Sequence, residues 1–354
     1  MDVLENIPLA PYTTFGIGGP ARWFVEAASE EELAEAAAWA RERGVALFVL
    51  GGGSNVLVSD AGFDGLVLRV GLRGMEAEGG SGHMNYRVAA GEDWNAFVDR
   101  AVQDGCAGIE CLAGIPGTAG GTPVQNVGAY GQEVSSVIER VRAFDLEECA
   151  FVEFSAGECG FGYRRSRFNS TDRGRYIVSH VEYMLTPSGA PTLQYSDLQR
   201  AIQEGREEGG EPSLAEVAAA VRRVRERKGM LLVEGDADCR SAGSFFKNPV
   251  VTEDQAAEIA KASAKEPPRF QAGGGQVKVP AAWLIEQAGY EKGYALGAAG
   301  ISSRHTLALI NRGGARAEEI LALAEEIAAA VEGRFGIRLE MEPVMVGFRL
   351  AAIE

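Results

Sequence analysis

The run from Ala21 to Leu50 constrains this chain more than any other part of it. "ARWFVEA" (21–27) has the apolar and aromatic content of a strand, "SEEELAEAAAWARERG" (29–44) that of a helix, and "VALFVL" (45–50) that of a short buried strand. Both helix ends are signalled: Ser29 and Glu32 have capping-box spacing, and Gly44 is a stop. Strand, helix and strand at this spacing read as a βαβ unit. It runs directly into "GGGSN" (51–55), and more β pattern follows in "VLVSDAGFDGLVLRV".

A chain of 354 residues is too long for one hydrophobic core, so two or three domains are expected. The middle, 71 to about 210, mixes the short strands "YRVAAG", "IERVRAFD" and "YIVSHVEYML" with a helix at "DWNAFVDRAVQDG". It also holds a long glycine-rich segment, "LAGIPGTAGGTPVQNVGAYG" (112–131). Ordering so many glycines is costly in backbone entropy, so the segment is expected to do something. "EGREEGGEPS" (204–213) is the main boundary candidate, and a capped helix, "SLAEVAAAVRRVRERKG", follows it. The rest alternates helices with the strands "RHTLALIN" and "IRLEMEPVMVGFRL".

Acidic residues outnumber basic ones 50 to 34, for a formal net charge of −16. That field repels polyanions, so nucleic acid and anionic membranes are not expected partners. An anionic small molecule requires basic groups gathered locally. The amino-terminal stretch has neither a basic nor an apolar leader region, and the five cysteines include no C-x-x-C pair. The expectation is a cytoplasmic protein with reduced thiols. Three scattered histidines without ligand spacing argue against a metal, and there is no G-x-S-x-G.

"FGIGGPA" (15–21) matches a dinucleotide fingerprint only in letters, because it precedes a strand instead of opening a helix. "GGGSN" reads either as a tight turn or as a nest of converging amides for an anion. A second glycine-rich segment favours a long ligand held at both ends, such as a dinucleotide cofactor. "GYRRSRF" (162–168) is either a basic strand end or a guanidinium fork for a carboxylate. "SAGSFFKNP" places Ser244, Lys247 and Asn248 around two phenylalanines, and "LEMEP" offers Glu340 and Glu342 on one side of a strand. Either glutamate can be surface charge or an acid facing a pocket.

Taken together, "YTTFGIGGPARWF", "LGGGSNVLVSDAGFDGLVL", "GIPGTAGGTPVQNVGAYGQEV", "FGYRRSRF", "SAGSFFKNPVV", "WLIEQAG" and "LEMEP" resemble, in this order, the UDP-N-acetylenolpyruvoylglucosamine reductase family. The resemblance runs nearly end to end, and "LQYSDL" with "GSFF" resembles its type I branch. It implies an α+β chain: an FAD-binding fold of the vanillyl-alcohol-oxidase-like type in two domains, plus a C-terminal α+β substrate domain. The implied domains are 1–70, joined by a C-terminal strand 344–354, then 71–212, then 213–343.

The resemblance further implies noncovalent FAD, NADPH as reducing cosubstrate, and a UDP-sugar substrate bound by a monomer. Hydride would pass from flavin N5 to the enolpyruvyl group, and the product would be UDP-N-acetylmuramate for peptidoglycan synthesis. By motif match, Arg164 binds the substrate carboxylate, Glu342 stabilises the enol form, and Ser244 delivers the proton, with Gly243 letting the backbone pass close to substrate. Gly51, Gly52, Gly53, Ser54, Asn55, Gly117, Thr118, Gly120, Gly121, Gln125 and Asn126 would hold the flavin. Tyr195 would close over the nucleotide, with Arg225, Lys228, Asn248 and His305 on its diphosphate and uridine side. A family tyrosine near the diphosphate is Phe270 here. Two rivals are a flavin-dependent oxidase with a histidine-linked cofactor and a non-catalytic nucleotide-binding module. Neither glycine segment contains a histidine.

Overall fold

Strand Pro20–Ala27, helix α1 (Glu30–Arg43) and strand Ala46–Leu50 form the expected βαβ unit in the structure, a computed structural model that describes residues 1–204, 210–263 and 265–348. Ser29 accepts a hydrogen bond from the Glu32 amide at 3.3 Å, and the Glu32 carboxylate accepts one from the Ala28 amide at 2.7 Å. Gly44, at φ 61°, ends the helix in the left-handed conformation. Strand Phe63–Val70 lies between the two strands of the unit and runs parallel to both, with Leu66, Val67 and Leu68 wholly buried. Strand Leu4–Pro8 completes the sheet at the edge beside Pro20–Ala27.

The chain divides into two compact units. Unit 1 comprises residues 1–7, 21–53 and 63–227. Besides the parallel sheet it holds an antiparallel one, in the order Ala150–Ser155, Ile138–Asp145, Tyr176–Pro187, Met84–Ala89, Met75–Gly79. Helix α2 (Trp94–Gln103) is capped by Asp93, whose carboxylate accepts from the Ala96 amide. Its Trp94 and Phe97 pack with Tyr86 and Tyr183 in a buried aromatic cluster. Helices α3 (Ser196–Gln203) and α4 (Leu214–Arg227) pack on one another, and α4 also meets α2. Residues 205–209 of the charged connection lie outside the described residues.

Unit 2 comprises residues 8–20, 54–62 and the chain from Lys228 onward. Helices α5 (Glu253–Ser263), α6 (Ala281–Gln287) and α7 (Ala317–Phe335) bury apolar stripes with Phe245, Phe246 and Leu309 in a core separate from that of unit 1. Two three-stranded antiparallel sheets accompany them: Val250–Thr252, Gln276–Lys278, Phe270–Gly273, and Ala295–Leu296, Ala299–Ile301, Leu309–Asn311. Strand Val344–Val346 pairs in parallel with Val56–Val58.

Two expected strands are shorter than their sequence pattern. In "RHTLALIN" only Leu309–Asn311 is strand, because His305 turns the chain: its Nδ1 accepts from the Leu307 amide and its carbonyl from the Ala308 amide. In "IRLEMEPVMVGFRL" the strand proper is Val344–Val346, since Pro343 has no amide to extend pairing towards Glu342. Residues 349–354 of the expected C-terminal strand lie outside the described residues.

Candidate active site

In unit 1 the two glycine segments run backbone against backbone. A Cβ on Gly52 would sit 2.6 Å from the Gly117 Cα, and one on Gly51 would sit 3.1 Å from the Thr118 Oγ1. Gly52 is therefore a glycine because another main chain occupies the space a side chain needs. Amides at the centre of the second segment are committed to the fold, Ala119 to Glu92, Gly120 to Ala90 and Gly121 to Thr118. Gly120 also packs its bare Cα against Ala90, where a Cβ would come within 2.4 Å. The first segment straddles the boundary between units, which falls between Gly53 and Ser54.

Asn126 is buried, in the left-handed region at φ 46°, and its side chain is a clasp. Its Nδ2 donates to Glu133 (2.9 Å) and to the Gly162 carbonyl (3.0 Å), and its Oδ1 accepts from the Ser135 amide (3.1 Å). Arg164 sits at the tip of a two-residue turn closed by Gly162 and Arg165, with φ 53°. Its Nη2 donates to the Gly128 carbonyl at 2.9 Å and its Nη1 reaches the Asn126 carbonyl at 3.5 Å. The fork is thus anchored to the loop that follows the second glycine segment, and its plane is fixed before any ligand arrives.

Tyr195 and Arg225 come together around a third residue, Tyr130. The Tyr130 ring meets the exposed ring of Tyr195 edge-on, with centroids 6.1 Å apart. Burial raises the Tyr130 phenol above its ordinary value, while the neighbouring Arg225 pulls it the other way. Arg225 donates from Nε to the Gly114 carbonyl at 2.9 Å. Tyr130 was visible in "GAYG", but nothing in the sequence says that its ring meets residue 195.

In unit 2, the segments "SAGSFFKNP" and "LEMEP" lie side by side. Phe246 and Met341 form an antiparallel bridge, the Glu342 amide donates to the Phe245 carbonyl at 2.8 Å, and the Lys247 amide donates to the Glu340 carbonyl at 2.9 Å. Glu342 is thereby held opposite Phe245, with Ser244 one residue before it, and both Ser244 and Glu342 are half-buried. Glu340 is exposed, and its carboxylate forms an ion pair with Lys247. Asn55 joins this cluster: its Nδ2 reaches the Glu342 carbonyl at 3.4 Å and its own carbonyl accepts from the Val344 amide. Phe245 and Phe246 are buried beneath, with Phe15 of "FGIGG" edge-on to Phe245. That segment precedes a strand, so no helix N-terminus follows its glycines; Gly18 and Gly19 instead lie close against Leu9, Ala10, Val58 and the turn at Asp60–Gly62.

Gly243 has open space around its missing side chain and φ 71°. The need for glycine there is the left-handed turn that aims Ser244. Asn248 Oδ1 accepts from the Ala281 amide and so starts α6. His305 stands near Lys228 and Lys292; burial first, then these cations, lower its imidazole to about 4. With Nδ1 accepting from Leu307, the neutral ring carries its proton on Nε2 and can only donate there. Phe270 is exposed and lies across the sheet from Lys278.

Two glycine segments whose bare backbones touch, with the Thr118 hydroxyl beside Gly51, fit the cradle of a dinucleotide cofactor. Residues 235–346 match the family described as UDP-N-acetylenolpyruvoylglucosamine reductase, C-terminal domain, and residues 21–149 match the FAD binding domain family. The UDP-N-acetylenolpyruvoylglucosamine reductase of Streptomyces coelicolor is 46% identical, over 98% of this chain and 91% of that protein. The one from Thermobifida fusca is 45% identical, over 98% of each. The crystal structure of the Thermus caldophilus reductase superposes with a TM-score of 0.66 at 27% identity, covering 98% of each chain.

Proposed function

The chain belongs to the UDP-N-acetylenolpyruvoylglucosamine reductase family, and on that premise we propose that it reduces UDP-N-acetylglucosamine enolpyruvate to UDP-N-acetylmuramate with NADPH and FAD. The observation that carries this reading is the antiparallel pairing of residues 245–247 with 340–342, which supports Ser244 and Glu342 acting in one place by holding Glu342 opposite the residue that follows Ser244.

FAD, held noncovalently by Gly51–Asn55, Gly117, Thr118, Gly120, Gly121, Gln125 and Asn126, supplies the hydride carrier when bound. Among these, Gly52 and Gly117 form the cradle, and the Asn126 side chain holds the loop's shape. Ser244 gives its proton to the carbon that bears the substrate carboxylate. A serine is a weak acid, so this requires a strongly basic acceptor at contact distance in a site that excludes water. Glu342 stabilises the enol form of the carboxylate, and the Glu340–Lys247 ion pair supports this choice between the two glutamates. Arg164 binds the same carboxylate; its anchoring to the Gly128 carbonyl supports a preorganised fork.

Tyr195 covers the nucleotide. Arg225, Lys228, Asn248 and His305 serve the diphosphate and uridine, with His305 as a neutral donor and the cations supplying the charge. The functional division is 1–70 with the C-terminal strand, 71–212, and 213–343. The net charge of −16 supports a protein that binds neither nucleic acid nor anionic membrane surfaces, and the family resemblance and reduced-thiol pattern favour a cytoplasmic monomer. Among the described residues, no helix is long and apolar enough to cross a membrane.

An anaerobic visible spectrum tests the function as a whole. NADPH should bleach the flavin band, and the enolpyruvyl sugar nucleotide should restore it. Recovery only with oxygen would mean an oxidase, and no flavin band after reconstitution with FAD would end the reading.

A further inference from the structure

Glu110, in a single 3₁₀ turn just before the glycine-rich segment, has no exposed surface, and the groups that meet its carboxylate are neutral. Its Oε2 accepts from the Gly108 amide at 2.8 Å; its Oε1 accepts from Gln132 Nε2 at 2.8 Å and from the Thr192 amide at 2.9 Å. Gln132, just beyond the segment, is buried too. Its Oε1 accepts from the Cys111 amide at 2.8 Å, and its Nε2 also reaches the Thr192 hydroxyl at 3.2 Å. The Cys111 thiol donates to the Thr192 carbonyl at 3.2 Å. Thr192 is therefore held by its amide, its hydroxyl and its carbonyl, all from the two flanks of one loop.

Thr192 lies in an arm, residues 188–195, with no helix or strand of its own. Such a stretch keeps one position only if something outside it fixes the backbone. Tyr195 ends the arm, 44% exposed and edge-on to Tyr130 of the same loop. A buried carboxylate is costly unless fully hydrogen-bonded, so one that serves only packing is readily replaced by an apolar side chain. Here its donors come from three separate stretches of chain, at Gly108, Gln132 and Thr192.

We propose that Glu110 is a positioning residue: through Gln132 and Thr192 it sets the Tyr195 arm against the glycine-rich loop, and so governs how tightly the sugar nucleotide is held. This rests on the reading that Tyr195 covers that nucleotide. Glu110→Gln keeps the shape but turns an amide N–H₂ against at least one of the donors now satisfied.

The test is a double-mutant cycle of Glu110→Gln and Tyr195→Ala in the FAD-loaded enzyme. KM for the enolpyruvyl sugar nucleotide, kcat, and bound FAD would be measured for each. Losing one charged hydrogen bond in the holding of a loop corresponds to a rise in KM of about tenfold. That rise is expected in E110Q, with kcat and FAD content near wild type. The double variant should bind no worse than Tyr195→Ala alone, since the arm then has no ring to place. Additive effects, or an E110Q KM equal to wild type, would overturn the proposal. If E110Q does not fold, Thr192→Val takes its place in the cycle, deleting the hydroxyl but keeping the amide, with a rise of roughly threefold. A wild-type enzyme whose bleached flavin ignores the sugar nucleotide would remove the functional reading itself, and the proposal with it.

Discussion

The amide of Glu342 donates to the carbonyl of Phe245 at 2.8 Å, so the residue after Ser244 is hydrogen-bonded directly to the backbone of Glu342. This bond makes the Ser244 and Glu342 roles separable from the fold, because it runs through main chain that neither side chain builds. Ser244→Ala is therefore expected to keep its stability and its NADPH-driven flavin bleaching. The reoxidation of flavin by the enolpyruvyl substrate should slow by about 10²- to 10⁴-fold, the usual contribution of a positioned acid. Stopped-flow absorbance of the two half-reactions measures this. An equal loss in both would make Ser244 a structural residue.

Gly52→Ala tests the cradle from the other side. Its new Cβ would meet the Gly117 main chain at 2.6 Å, and neither backbone can yield as a flexible side chain could. Overpacking of this kind costs on the order of 1–3 kcal/mol. The expected outcome is a lower melting temperature together with a weaker hold on FAD, read by flavin fluorescence on dilution. Gly51→Ala meets only the Thr118 hydroxyl, at 3.1 Å, and should be milder on both counts. Equal effects at the two positions would show that the close approach of the segments is not what matters.

The sequence carried the local parts of this architecture well, because they are written in short-range chemistry. The Ser29 and Gly44 signals bound α1, and the strand-like runs located Ile138–Asp145 and all but the last two residues of Tyr176–Pro187. What the sequence could not show is pairing across distance. Nothing near Phe63–Val70 says that this strand inserts between the two strands of the βαβ unit. Nothing in the sequence says that Lys247 pairs with Glu340, a contact that arises only once the two segments are aligned. Glu110 left no trace at all, since a lone glutamate in "AGIECLAG" gives no hint of burial until Gln132 and Thr192 arrive. Gly243 owes its identity to a turn that only the folded backbone reveals. Its φ demands glycine, whereas the space around it is open.

His305 sets part of the acid sensitivity of unit 2. Burial, with Lys228 and Lys292 nearby, lowers its pKa to about 4 from the ordinary 6.5. Between those values the unfolded chain binds the proton and the folded one does not. Stability from this group is thus full above pH 6.5 and is lost as pH falls towards 4. The contribution is no more than about 3 kcal/mol. His305→Gln should flatten the stability-against-pH curve in that window, measured by urea unfolding at successive pH values. An unchanged slope would mean that the imidazole is not held neutral.

Glu30 should dominate a second, lower window in unit 1. Burial alone would raise its carboxyl, but bonds from Arg142 Nε and Nη2 at 2.8 and 3.0 Å and from the Ser179 hydroxyl at 2.7 Å outweigh it and bring the pKa to about 2. These contacts tie the first turn of α1 to two strands of the antiparallel sheet, and so join the two sheets of the unit. The folded pKa lies below the unfolded one, so this stabilisation is complete above about pH 4.5 and disappears as pH falls towards 2. Glu30→Gln removes the charge from a partly buried, bidentate pair and is expected to cost on the order of 1–3 kcal/mol at neutral pH. The difference between variant and wild type should shrink below pH 4, because the unfolded wild-type chain then takes up the proton that the folded carboxylate still refuses. Unfolding curves at pH 7 and pH 3 measure it, and a difference that persists undiminished at pH 3 would assign the loss to packing and not to the ion pair.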